Sequence, residues 1–160
     1  PKTSSAASDV YKRQAYYSGK KKLHTVKNIV VTSGTKNNRI DVFGETVCGS
    51  AHDFEMFKHM KLSNFLDGKT VDVDLGFQGI EKYCSNSKIN IPKKKPKNGQ
   101  LTEVQKRENK AKSSVRVKIE HAIGGMKIFQ AARSQSRVRS DKIRDNIGYV
   151  AASLWNYKIA

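Results

Sequence analysis

Val115 to Phe129, VRVKIEHAIGGMKIF, constrains this chain of 160 residues more than any other stretch, because two demands are written on one helix. Val104, Ala111, Val115, Ile119, Ala122, Met126 and Phe129 recur with the helical period and predict a stripe facing a core. Arg116, Glu120 and Lys127 share a second face of the same helix. Glu120 lies about 100° round from Ile119, at the edge of the apolar stripe. A carboxylate there can be half of an exposed i,i+4 ion pair, worth only about 0.3–0.5 kcal/mol. It can equally look along the core surface toward another element. Arg before Glu is the weaker order for a helical pair, and spacing alone leaves both readings open.

The helix has a legible start. Thr102 and Gln105 form a capping box. Gly124-Gly125 is expected to interrupt it, at about 1 kcal/mol each relative to Ala, and to let something approach closely. ARSQSRVRSDK then reads as a loop, and Ile143, Ile147, Val150, Ala151, Leu154 and Tyr157 trace a final amphipathic helix.

Upstream the pattern changes. Residues 1–14, PKTSSAASDVYKRQ, have no apolar period, and SSAASDVYKRQ resembles translated sequencing-adapter read-through. They are set aside as a non-native or disordered segment, leaving residues 15–160 as one domain. Leu23, Thr25 and Ile29–Val31 favour a strand, Ser33 to Asn38 a loop, and Ile40, Val42 and Phe43 a second strand, together a hairpin. Ser50 reads as an N-cap with Asp53 at the third helical position, opening a short helix carried by Phe54, Phe57 and Met60. Val71, Val73 and Leu75 then alternate with Asp72 and Asp74 in a strand ended by Gly76 and Gly79. Lys88 to Ile91 predicts one more short strand, stopped by Pro92. Short strands meeting helices in this order imply an α/β or α+β domain on a single sheet.

Charge narrows the partner. Lys and Arg number 31 against 14 Asp and Glu, a net charge of +17. Such a surface suits a polyanion, nucleic acid before any other. No apolar run approaches the ~18 residues of a membrane span, and no secretory signal is visible. Two cysteines, Cys48 and Cys84, make no disulfide framework, so a reducing cytosol or nucleoid fits. Cys48, His52, His59 and Cys84 match no common zinc spacing.

Acidic residues on one face of a strand need a reason. Asp74 near a strand end and Glu120 on a later helix can meet over a sheet edge. Paired carboxylates on a strongly basic protein suggest a divalent metal held against phosphate, and hard oxygen ligands suit Mg²⁺. The basic loop PKKKPKNGQ, with Lys93, Lys94, Lys95 and Lys97, is either a solvated linker or a surface lying on phosphates.

Taken together, YYSGKKKLHTVKNIVV, GSAHDFEMF, DLGFQG, PKKKPKNGQLT and VRVKIEHAIGGMKIF resemble bacterial insertion-sequence transposases of the DDE type, in the branch related to Harbinger elements. The resemblance runs in order over roughly residues 16 to 158. It implies an RNase H-like mixed sheet flanked by helices, and Mg²⁺- or Mn²⁺-dependent cleavage and transfer of double-stranded DNA at transposon ends and target. It makes Asp74, in Asp-Leu-Gly-Phe, and Glu120 catalytic metal ligands, and selects Asp74 over Asp72. Arg116 and Lys127 complete a Tyr-x2-Arg-x3-Glu-x6-Lys signature, as DNA contacts or as groups orienting Glu120; Ser113 stands at its tyrosine position. Asp53 is expected to cap a helix and support local structure rather than to bind metal, and His121 to be a packed or partly exposed helix residue rather than a proton shuttle. The family's first aspartate has no counterpart between Gln14 and Tyr16. The chain therefore reads as a C-terminal fragment, inactive alone; for the intact enzyme a homo-oligomer is one option the sequence leaves open. The rival reading is a non-catalytic, basic DNA-binding remnant of a transposase.

Overall fold

In the computed structural model the chain is described over residues 16–18, 22–34, 38–133, 138 and 140–160. Residues 1–14, the proposed non-native segment, and most of the ARSQSRVRSDK loop lie outside the described residues. The strands are β1 (Tyr17–Ser18), β2 (Leu23–His24), β3 (Val26–Lys27), β4 (Val30–Thr32), β5 (Ile40–Phe43), β6 (Val47–Cys48), β7 (Thr70–Asp72) and β8 (Lys88–Asn90). The helices are α1 (Asp53–His59), α2 (Ser63–Leu66), α3 (Glu103–Met126), α4 (Gln130–Arg133) and α5 (Asp141–Ile159). Short 3₁₀ turns occupy Leu75–Phe77 and Ile80–Lys82.

The architecture is mixed α/β, but the expected single sheet is not what forms. Among the described residues there are four two-stranded ladders: β1–β2, β3–β6 and β4–β5 antiparallel, and β7–β8 parallel. The strands are two to four residues long, and the β4–β5 register shifts between Val31 and Thr32.

Side-chain alternation in the β4–β5 hairpin separates two cores. Val31 and Val42, directly paired, face a cluster of Ile29, Met56, Phe57, Leu62, Leu66, Ile80 and Cys84. Val30, Ile40 and Phe43 face a second cluster of Ala122, Met126, Ala151, Ala152 and Trp155. Burial in the first cluster pushes the Cys84 thiol up.

The capping box holds: Thr102 accepts from the Gln105 amide, and the Gln105 side chain accepts from the Thr102 amide. Helix α3 runs on through both glycines to Met126 rather than stopping at them. Gly125 is needed where it is, because a Cβ there would collide with the Trp155 ring of α5. Gly124 has nothing within 4 Å of the same position. The apolar stripe of α3 is buried only at its C-terminal end. Ala122 is fully buried and Met126 nearly so, whereas Val104 is 66% exposed and Ala111 is exposed.

Three further expectations are corrected. His52 rather than Ser50 caps α1, its Nδ1 accepting from the Phe54 amide at 3.3 Å, so Asp53 is the first helical residue. Strand β7 ends at Asp72, before the Asp74–Leu75 stretch expected within it. Helix α5 buries Ala151 of the expected stripe, but otherwise a different set of residues. Ile143, Val150, Leu154 and Tyr157 are exposed, while Gly148, Ala151 and Ala152 are buried and Trp155 packs beside them. Small residues allow backbone approach, as Gly148 does under Phe43. The same side offers Asn156, which accepts from the Ile40 amide at 2.9 Å and donates to its carbonyl at 2.8 Å. Among the described residues, no helix is long and apolar enough to cross a membrane.

Gly125→Ala should therefore destabilise the fold by about 1–3 kcal/mol through overpacking. Gly124→Ala, in the same helix, should stabilise it by up to about 1 kcal/mol. Urea unfolding followed by Trp155 fluorescence measures both; equal shifts would show that the α3–α5 contact is not tight.

Candidate metal and nucleic-acid site

Asp74 owes its position to the end of β7. The ladder continues one bond past the strand, with the Val73 amide donating to the Asn90 carbonyl at 3.1 Å. The Asp72 side chain turns to its neighbour across the ladder, accepting from Asn90 Nδ2 at 3.1 Å. Asp74 then caps the Leu75–Phe77 turn, its Oδ1 accepting from the Leu75 amide at 2.8 Å and its carbonyl from the Phe77 amide at 3.0 Å. The two aspartates thus part company: Asp72 is engaged in the ladder, whereas Asp74 faces helix α3.

Across that gap Arg116 reaches both carboxylates. Its Nη1 lies 3.2 Å from Asp74 Oδ1 and its Nη2 lies 3.6 Å from Glu120 Oε1. One guanidinium therefore bridges residues from a turn and a helix, and Asp74 and Glu120 converge on a single cation. All three side chains are about half exposed. Lys127, the C-cap of α3, is exposed and makes no ion pair with either carboxylate. His121 is exposed on α3.

The basic loop is partly structural. The Asn109 side chain clamps the Lys93 backbone, Oδ1 accepting from its amide at 2.9 Å and Nδ2 donating to its carbonyl at 3.0 Å. Lys112 Nζ donates to the Ile91 carbonyl at 2.7 Å. Lys93 Nζ pairs with Glu108 at 2.8 Å and holds that carboxyl below its usual range. Lys93 is thus engaged within the chain. Lys94, Lys95 and Lys97 are exposed and have no ion-pair partner among the described residues. Sequence reasoning missed Asn109, and no pattern could have found it, because an amide clamp needs only one helix position facing a strand exit.

The donor set can be tested against a metal. Mg²⁺ is commonly held by one or two carboxylates, with water and phosphate oxygens completing the shell. Asp74 and Glu120 supply that chemistry, and both pair with the Arg116 guanidinium. Among the described residues no three His, Cys, Asp or Glu side chains gather to hold a metal. The pair fits a partly hydrated hard cation, not a closed protein cage.

Residues 3–156 match the DDE superfamily endonuclease family, and the chain belongs to it. It is also 34% identical over 152 residues to a protein of Microchaete diplosiphon described as a probable transposase for insertion sequence element IS702. That alignment takes in 92% of this chain and 51% of the relative, so the chain spans about half the relative's length. No solved structure matches.

The Lys93–Glu108 pair carries a pH signature. A carboxyl depressed in the folded state stabilises above its unfolded value of about 4.3, and the contribution is lost as pH falls through the lower folded value. Urea midpoints measured from about pH 6 to about pH 3 should fall less for Lys93→Met than for the parent chain. Asn109→Ala should speed trypsin cleavage after Lys94 and Lys97 without changing the rest of the digest.

Proposed function

We propose that this chain is part of the catalytic domain of an insertion-sequence transposase that cleaves double-stranded DNA at transposon ends and joins it to target DNA. The observation that carries the reading is the convergence of Asp74 and Glu120 on Arg116, within a member of the DDE superfamily endonuclease family. The similarity to the IS702 protein supports the transposase assignment. An RNase H-like arrangement of the intact domain is what that family implies; this chain shares with it a mixed α/β composition, though among the described residues its strands form four separate two-stranded ladders. The setting is the cytoplasm, on nucleoid DNA, and the intact enzyme works as a homo-oligomer.

Asp74 and Glu120 would hold Mg²⁺ or Mn²⁺, which would supply Lewis acidity toward a phosphate oxygen and toward water. Asp74 is oriented by the Leu75 amide it caps, and Glu120 by its place at the edge of the buried stripe. Arg116 orients both carboxylates and meets the incoming phosphate, with Lys127 lying about two turns beyond Glu120. Lys94, Lys95 and Lys97 track the DNA backbone, and Lys93 fixes the base of their loop. With two carboxylates in the ligand set, the chain by itself is expected to bind metal without cutting DNA.

Isothermal titration of Mn²⁺ tests the assignment. Asp74→Asn and Glu120→Gln should each weaken binding by about tenfold or more, roughly the loss of one charged ligand. Unchanged affinity in both would remove the metal site and leave a basic, non-catalytic DNA-binding remnant of a transposase. For DNA, Lys94→Ala, Lys95→Ala and Lys97→Ala combined should lower the salt slope of duplex binding, by about 0.9 for each phosphate no longer neutralised. An unaltered slope would return the loop to a solvated linker.

A further inference from the structure

The segment GSAHDFEMF has no place in the site as described, yet the structure ties it to the turn that carries Asp74. Gly49 sits against Thr25, where a Cβ would collide, and so brings the start of the segment onto the strand pair near β3. Lys27 of β3 donates to the Ala51 carbonyl at 2.8 Å and pairs with Asp53 Oδ1 at 3.1 Å. Because His52 caps α1, the Asp53 carboxylate is not used in capping. Its other oxygen, Oδ2, lies 2.9 Å from where a Cβ of Gly76 would stand. The next residue lies beside the glycine that follows the turn: a Cβ on Gly79 would be in ordinary contact with the Phe54 ring at 3.5 Å. Gly79 also holds a φ of +95, where L side chains are strained.

Two consecutive residues of α1 therefore lie against the two glycines of DLGFQG, Asp53 in close approach to Gly76 within the turn and Phe54 in ordinary contact with Gly79 after it. We propose that Asp53, anchored by Lys27, is a positioning residue that fixes the Leu75–Phe77 turn and with it the direction of the Asp74 carboxylate. The lysine neutralises and locates the carboxylate, and the missing side chain at Gly76 is the space it fills. Asp53 acts on Asp74 only through this turn. The importance of the contact for metal binding rests on the reading of Asp74 as a ligand.

A double-mutant cycle on the whole chain tests the contact directly, with Gly76→Ala and Asp53→Ala as its arms. Two quantities are read: hydrogen exchange at the Leu75, Phe77 and Gln78 amides, all bonded within the turn, and the Mn²⁺ dissociation constant. In the parent background Gly76→Ala should raise exchange at these amides by about tenfold and weaken Mn²⁺ by roughly fivefold, leaving α5 exchange unchanged. In the Asp53→Ala background, where the carboxylate is gone, the same change should have an effect of about twofold or less. Lys27→Met should loosen the turn as Asp53→Ala does, and Asp53→Asn, which keeps the shape, should loosen it less.

Equal effects of Gly76→Ala in both backgrounds would overturn the proposal. So would turn exchange unmoved by Asp53→Ala, Asp53→Asn and Lys27→Met together. Should the parent chain bind no Mn²⁺ at all, the metal reading fails while the exchange arm still decides the positioning role. If Gly76→Ala does not fold, Asp53→Asn and Lys27→Met decide it alone, by whether turn exchange rises while α5 exchange holds.

Discussion

The fit of Gly125 against Trp155 governs the placement of nearly everything that matters at the site. A backbone without a side chain lets α3 lie directly on an indole ring, which seats its C-terminal turns on α5 and the β4–β5 hairpin. The other end of the helix has no such core: Val104 is solvent-exposed, and the contacts there are polar. Asn109, Glu108 and Lys112 tie those turns to residues 91–93, which leave β8. Since β8 pairs in register with β7, and β7 leads into Asp74, the helix is fixed to both sides of the gap it spans. Arg116 and Glu120 fall between the two anchors. Their distance from Asp74 is thus set by an apolar contact at one end and an amide clamp at the other.

The ion pairs at the gap do little for stability. Arg116, Asp74 and Glu120 are each about half exposed, and exposed pairs contribute roughly 0–1 kcal/mol. The convergence of Arg116 and Asp74 across 42 residues of sequence is therefore not explained by what it adds to the folded state. Two carboxylates facing one another across a gap repel unless a cation sits between them. Arg116 supplies that cation here, in contact with both Asp74 and Glu120.

Much of this was legible from residue order. The Thr102 capping box, the hairpin around residues 30–43 and the Arg116–Glu120 spacing are local signals, and local hydrogen bonds or helical geometry enforce them. The approach allowed by the glycine pair was also legible, though not that Gly125 alone would be used. What could not be read was set by partners far away in sequence. Helix α5 shows a strong apolar stripe, yet it buries Gly148, Ala151 and Ala152, because close contact with Phe43 and the Asn156 bonds to Ile40 outweigh a larger but unpartnered apolar face. Ala151 belongs to both faces, and pattern alone could not choose between their other residues. Asp74 was selected over Asp72 by its Gly-Phe context, but its release from β7 depends on where the ladder with β8 runs out. His52 displaced Ser50 as the cap because an imidazole one residue from α1 reaches the Phe54 amide.

The distribution of cations follows the same division between fixed and free. Lys27, Lys93, Lys112 and Arg116 each hold an acceptor inside the chain and shape the backbone around the gap. Lys94, Lys95, Lys97 and Lys127 hold none among the described residues and remain available to a polyanion. A loop whose first lysine is clamped and whose next three are free presents charge from a fixed base, reducing the ordering cost of meeting a phosphate backbone. Composition alone made every lysine equivalent. The structure separates those that build the site from those that can reach beyond it.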